Sequence, residues 1–177
     1  VRQTMRFKFW MALAVTGFTV LLFTGCGTFL IRSYLKGEGS AQDAAATLMY
    51  GKQYLYLMLA GLPAFAVVQV YASTLRECGK TILPMKAGII AVFVNLVFNY
   101  LLIYGKLGMP ELGVRGAAVA TVLSRYVEML IVVYQVHKDT KAYAFITGLY
   151  RTMKLPKELV GKILKKGSPL LLNETLW

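Results

Sequence analysis

The sequence predicts an all-α protein, a polytopic membrane helix bundle, on three observations: the length of its apolar runs, the placement of its basic residues and the positions of its aromatic rings. Residues 9–31, 53–75 and 87–105 hold no formal charge, and a fourth run, 112–136, is broken only by Arg115, Arg125 and Glu128. A helix rises about 1.5 Å per residue, so about 20 residues cross the ~30 Å hydrocarbon layer, and each run fits one crossing. A soluble helix of that length needs a polar face, and the first three runs have none. Composition agrees: 57% of the residues are hydrophobic, mean hydropathy is +0.57, and only 16% are charged.

The net charge of +12 does not point to nucleic acid, because the basic residues form no groove-like patch with interleaved aromatics. They fall in the connections between runs, and mostly on one side. Arg2, Arg6 and Lys8 precede the first run, Arg76, Lys80 and Lys86 surround the turn after the second, and eight more occupy residues 137–167. The opposite connections hold Arg32, Lys36, Lys52, Lys106 and Arg115. The positive-inside rule therefore places residues 1–8, 76–82 and 137–167 in the cytoplasm of a multi-pass cell-membrane protein. Helices are expected near 8–33, 51–77, 83–105 and 112–138, crossing outward and inward in alternation.

The first run is flanked by Phe7, Phe9 and Trp10 at its inner end and Tyr34 at its outer end. Tyr50, Tyr54 and Tyr56 open the second run, Tyr100 and Tyr104 close the third, and Tyr134 closes the fourth. Amphipathic rings collect at headgroup depth, so this pattern reads as an interfacial belt; an aromatic cage for a ligand is the sharper alternative. Between the first two runs, Ser40 is placed to cap a short helix leading into the second span, with Asp43 in its first turn. Pro63, about ten residues into the second span, removes a backbone hydrogen bond and predicts a bend, either a static kink or a hinge.

The turn to the third run carries Gly79, suited to the left-handed conformation that ends a helix, and Pro84, harmless in a first turn. The loop GKLGMPELG between the third and fourth runs is a turn by composition. After the fourth run, PKELVGKILKK (156–166) sets Leu159, Val160, Ile163 and Leu164 on one face and lysines on the other, and is expected to lie along the cytoplasmic interface. The sequence thus divides into four spans of a first bundle (1–136), a basic linker (137–167) and the start of a further membrane helix (168–177). A chain that opens on Val1 and stops at Trp177 inside an apolar stretch reads as a piece of a longer transporter or channel.

Motifs for chemistry are few. Cys26 and Cys78 fall on opposite sides of the predicted membrane, so no disulfide is expected between them. One His in the chain offers no zinc or haem spacing, and HExxH, GxSxG and Walker-type loops are missing, which argues against an enzyme and for no cofactor. The intramembrane polar residues carry the functional reading. Asn95 and Asn99, four apart, share one helical face, either as interhelical hydrogen-bond glue or as the lining of an ion or substrate cavity. Arg125 and Glu128, three apart, can pair; the readings are a structural pair, a snorkelling arginine or a gating element. Gly113, Ala117 and Thr121 form one small-residue stripe and Gly116, Ala120 and Ser124 the next, so this helix is expected among close neighbours. Gln69 and Ser73 are further candidates, either for polar lining or for local hydrogen bonds.

Three motifs in order, Leu75-Arg76-x-x-Gly79-x-Thr81-x-x-Pro84-Met85, Asn95-x3-Asn99-Tyr100, and Gly113-x-x-Gly116-Ala117-Ala118-x-Ala120-Thr121-x-x-Ser124-Arg125, resemble the multidrug and toxic compound extrusion (MATE) transporters. The resemblance covers the whole chain, matched to the third to sixth helices, the cytoplasmic connection and the start of the seventh. It implies twelve helices in two bundles, alternating access, and export of amphipathic or cationic organic compounds in exchange for sodium or protons. It also implies that Asn95, Asn99 and Thr121 line the first bundle's cation site. Many members have an aspartate where this chain has Asn99. Glu174 lies where the seventh helix begins, and some members use an acid on that helix. Gln69, Arg125, Glu128 and Glu174 are the remaining cavity or gating candidates. The implied partners are a small organic substrate, the lipid bilayer and the other helices of the same transporter. The alternatives are a related flippase for lipid-linked sugars, a non-transporting membrane scaffold and a membrane-embedded enzyme.

Overall fold

A computed structural model describes residues 1–34, 41–108 and 110–149, together with 160, 161 and 163. Among the described residues the chain is helical with short turns and contains no strand. The helices are α1 (Arg2–Tyr34), α2 (Ala41–Glu77), α3 (Ile82–Tyr104) and α4 (Val114–Lys138), with single 3-10 turns at Lys106–Gly108 and Ala144–Ile146. All four long helices are long and apolar enough to cross a membrane, as the run lengths predict. The protein is a multi-pass membrane helix bundle.

Two helix starts differ from expectation. The first helix begins at Arg2, well before its apolar run, because nothing in RQTMRFK breaks a helix. The Ala-rich stretch after Ser40 forms no separate short helix; it is the first part of α2, which runs on through Pro63 without interruption. The proposed Ser40 cap and the Asp43 side chain lie outside the described residues, as do Glu174, the segment 168–177 and all of the interfacial segment but 160, 161 and 163, which are helical. Gly79 does take positive φ, 73°, and its N–H bonds the Arg76 carbonyl at 3.0 Å, ending α2 as its sequence position suggests. In the α3–α4 loop Gly105, Leu107, Gly108 and Gly113 all have positive φ. Leu107 is the costly one, since an L side chain rarely adopts that conformation, and it stands 90% exposed at the loop's tip.

The helices form a row in the spatial order α1–α2–α4–α3. Sequence neighbours α2 and α3 barely touch, because α4 lies between them. Paired residues fix the directions. Gly27 meets Leu55 and Phe9 meets Tyr71, so α1 and α2 are antiparallel. Gly61 meets Val122 and Tyr71 meets His137, so α2 and α4 are parallel. Gly88 meets Glu128 and Leu102 meets Gly116, so α3 and α4 are antiparallel.

The small-residue stripe explains the tightest of these contacts. Gly116, Ala120 and Ser124 are all buried. A Cβ on Gly116 would stand 2.6 Å from the Leu102 carbonyl oxygen, so only glycine lets α4 approach α3 this closely. At the α2–α4 seam Tyr126 donates its hydroxyl to the Ala60 carbonyl at 3.1 Å. That carbonyl is one residue from Leu59, whose usual helical donor Pro63 lacks.

The hydrophobic core sits at one end of the bundle, the end carrying the start of α1 and the close of α2 and α4. Met5, Tyr71, Leu75, Val132 and Val136 are almost completely buried there, with Ile146 and Leu149. The segment after α4 therefore folds back under the bundle. Arg6 holds it, donating from Nε to the Leu149 carbonyl at 2.9 Å and from Nη2 to the Gly148 carbonyl at 2.8 Å. Beside it Lys8 on α1 bonds Ser73 and pairs with Glu77 on α2. Further along, α1 has few buried residues and presents Leu13, Val15, Phe18 and Leu21, among others, on its surface.

Candidate functional site

α3 and α4 supply the polar residues that the sequence singled out, and the structure brings most of them together. Asn95 and Asn99 face α4 from one side of α3. Asn99 Nδ2 donates to Asn95 Oδ1 at 2.8 Å, and Asn95 Nδ2 reaches Thr121 Oγ1 at 3.3 Å and Ser124 Oγ at 3.4 Å. The two hydroxyls spend their own protons on α4: Thr121 bonds the Ala117 carbonyl at 2.9 Å and Ser124 the Thr121 carbonyl at 2.8 Å. With their hydrogens turned back on their own helix, both present lone pairs toward α3. Asn99 Oδ1 is buried and accepts no hydrogen bond. The result is a seam of uncharged amides and hydroxyls bonded to one another across α3 and α4.

A cavity of about 420 Å³ opens beside this seam, lined by Gly88, Ala91 and Val92 as well as Asn95, Thr121 and Ser124. Arg125 and Glu128 close its wall. The i, i+3 spacing makes the pair expected from sequence: Arg125 Nη1 lies 3.2 Å from Glu128 Oε2. Glu128 is the more enclosed partner, its side chain 12% exposed against 43% for Arg125. The Arg125 guanidinium also stands 5.1 Å from the centre of the Phe65 ring on α2, where it borders a smaller cavity of about 210 Å³ with Met58, Gly61 and Leu62.

Gln69 is not part of this site. It lines a separate groove of about 560 Å³ between α1 and α2, with Thr16, Thr19 and Ser73, and Lys8 at one end. Ser73 lies in that groove as well. Helical spacing alone could not tell which side of α2 faces which neighbour, so the sequence marked Gln69 as a candidate for polar lining without saying which cavity it lines. Two residues with structural work were missed altogether. Arg6 and Lys8 read as charges that orient the chain, yet Arg6 is only 5% exposed and both tie helices or turns together. No signal in the local sequence marks their partners, which lie 65 to 143 residues away. Among the described residues no group of His, Cys, Asp and Glu is placed to hold a metal ion.

Known proteins resemble this chain. A family model described as MatE matches residues 1–101. A probable multidrug resistance protein NorM from Thermotoga maritima is 35% identical over 140 residues, 77% of this chain and 29% of that protein. A probable multidrug resistance protein NorM from Bacillus licheniformis is 31% identical over 157 residues, 88% of this chain and 34% of that protein. The chain spans about a third of the length of these curated relatives. No solved structure matches it.

Proposed function

The chain belongs to the MatE family, and from that premise we propose that it forms four spans of the first bundle of a multidrug efflux antiporter, exporting amphipathic or cationic organic compounds in exchange for sodium or protons. The observation that carries this reading is the seam of Asn99, Asn95, Thr121 and Ser124 beside an intramembrane cavity. Amide and hydroxyl groups are costly in hydrocarbon unless they serve packing or a ligand, and here three of the four residues, Asn95, Thr121 and Ser124, line the cavity. Hard cations such as sodium take several oxygens, which these groups supply. None of the three residues Asn95, Asn99 and Thr121 titrates, so they act as a supporting shell and a transported proton rides elsewhere in the complete transporter. The basic end of the bundle, with Arg6, Lys8 and Lys80, faces the cytoplasm by the charge rule. Export then requires a second bundle moving against this one, so these four spans alone carry nothing across.

The test is ion-driven export by the full-length protein in proteoliposomes, with Asn95→Ala and Asn99→Ala. Each variant is expected to lose at least tenfold in exchange rate at low driving-ion concentration, and to recover partly as that concentration rises. Unchanged exchange in both variants removes the ion-site reading of this face. A wild-type protein that moves no organic cation under either a sodium or a proton gradient removes the antiporter reading itself.

A further inference from the structure

Glu128 is the only carboxylate among the described residues that stands inside a helix away from its ends; Glu77 closes α2, and Glu111 and Asp139 lie outside the helices. Ten residues separate Glu128 from the end of α4 at Lys138, about 15 Å of helix. It shares its cavity with Asn95, Thr121 and Ser124, and its Oε1 lies near the bare backbone of Gly88 on α3. Among the described residues its ionic partner is Arg125, at 3.2 Å. That guanidinium sits between a carboxylate and the face of Phe65, and it lines both the larger and the smaller cavity. A planar, weakly hydrated organic cation held by a carboxylate and an aromatic face is the same chemistry that recognises a free organic cation.

We propose that Glu128 is the anionic anchor for the charged group of an organic cation, and that Arg125 is a built-in occupant of that anchor which the substrate displaces toward Phe65. The proposal rests on the export reading above and names the substrate class and the residue for it. The cavity's remaining wall fits such a ligand: Ala91 and Val92 offer apolar contact, and Asn95 offers an amide. At about 420 Å³ it has room for an organic head group and not merely a bare ion. Arg125 then serves two ends. It keeps an intramembrane carboxylate paired while no substrate is present, and it sets a threshold that neutral compounds, which cannot compete for Glu128, do not cross.

The experiment is equilibrium binding of ethidium to the purified full-length protein, with sodium chloride titrated separately and with thermal melting as a fold control. Glu128→Gln keeps the shape of the side chain and is expected to weaken ethidium binding at least tenfold. Arg125→Ala vacates the anchor and is expected to tighten it at least threefold. The exchange of both residues, Arg125→Glu with Glu128→Arg, keeps an ion pair but moves the carboxylate away from Gly88 and Asn95; binding is expected to stay weak. Wild-type affinity in Glu128→Gln, or its return in the exchanged pair, identifies a purely structural ion pair and overturns the proposal while leaving ion-driven export intact. Displacement of ethidium from the wild type by sodium, lost in Glu128→Gln, assigns the anchor to the inorganic ion and also overturns it. Should Arg125→Ala bind no more tightly while melting as the wild type does, Arg125 is not an occupant of the anchor.

Discussion

Gly116 on α4 lies so close to Leu102 on α3 that a single added methyl would overlap the Leu102 carbonyl, 2.6 Å from its oxygen and 2.7 Å from its carbon. The obstacle is backbone, which cannot turn aside as a side chain can. The contact also sets the depth at which Asn95 meets Thr121 and Ser124, two helical turns along the same seam.

Gly116→Ala should therefore push α3 and α4 apart and destabilise the bundle by about 1–3 kcal/mol, the usual range for overpacking. Gly61→Ala is the milder control, since its Cβ would meet the Val122 side chain at 3.2 Å. Thermal melting of the full-length protein in detergent checks both; equal melting of Gly116→Ala and wild type would mean that the two helices are not locked at this point.

Arg6→Ala should cost about 3 kcal/mol, because it removes two charge-assisted bonds from a buried site and leaves the Gly148 and Leu149 carbonyls without that donor. Arg6→Lys should recover only part of this, since an ammonium on a flexible stem cannot reproduce the fork that reaches both carbonyls. Limited proteolysis near residue 149, faster in Arg6→Ala than in Arg6→Lys, is the accompanying readout.

Glu77→Gln should change stability by less than about 1 kcal/mol. Its partner Lys8 keeps a bond to Ser73, and the Glu77 side chain is 53% exposed, so solvent screens most of what the pair could contribute. A loss as large as that of Arg6→Ala would show that this ion pair is less screened than its exposure indicates.

Lys80→Cys and Lys106→Cys, exposed at opposite ends of α3, should label from opposite faces of the membrane with an impermeant thiol reagent, in a background lacking Cys26 and Cys78. The charge rule assigns Lys80 to the cytoplasmic face. Labelling of both from one face would remove α3 as a span.

The features legible in the sequence are those that live within one helix. Run length located the four spans, four-residue spacing put Asn95 and Asn99 on one face, three-residue spacing paired Arg125 with Glu128, and the Gly116–Ala120–Ser124 stripe marked a close contact. Each follows from helix geometry, with no knowledge of neighbours. What was not legible depends on which helix lies beside which. Nothing in the apolar runs says that α4 separates α2 from α3, so Gln69 could not be assigned to the α1 side and Arg6 could not be matched with Leu149. Lipid makes this harder, since a membrane helix can be apolar all round and keeps no polar stripe to show which face is outward.

The row order α1–α2–α4–α3 also has a consequence for biogenesis. α1 with α2, and α3 with α4, are helical hairpins whose partners emerge from the ribosome in immediate succession and can pair as soon as both are in the bilayer. The α2–α4 seam is different: α2 must wait through the synthesis of all of α3 before its second neighbour exists, and Arg6 must wait until Leu149 has been made. Until then Tyr71, later buried in the core, has α1 beside it but not α4. The α2–α4 seam thus closes after both hairpins are made, and substitutions there should tell first on yield in the membrane, through quality control, before they tell on the finished transporter.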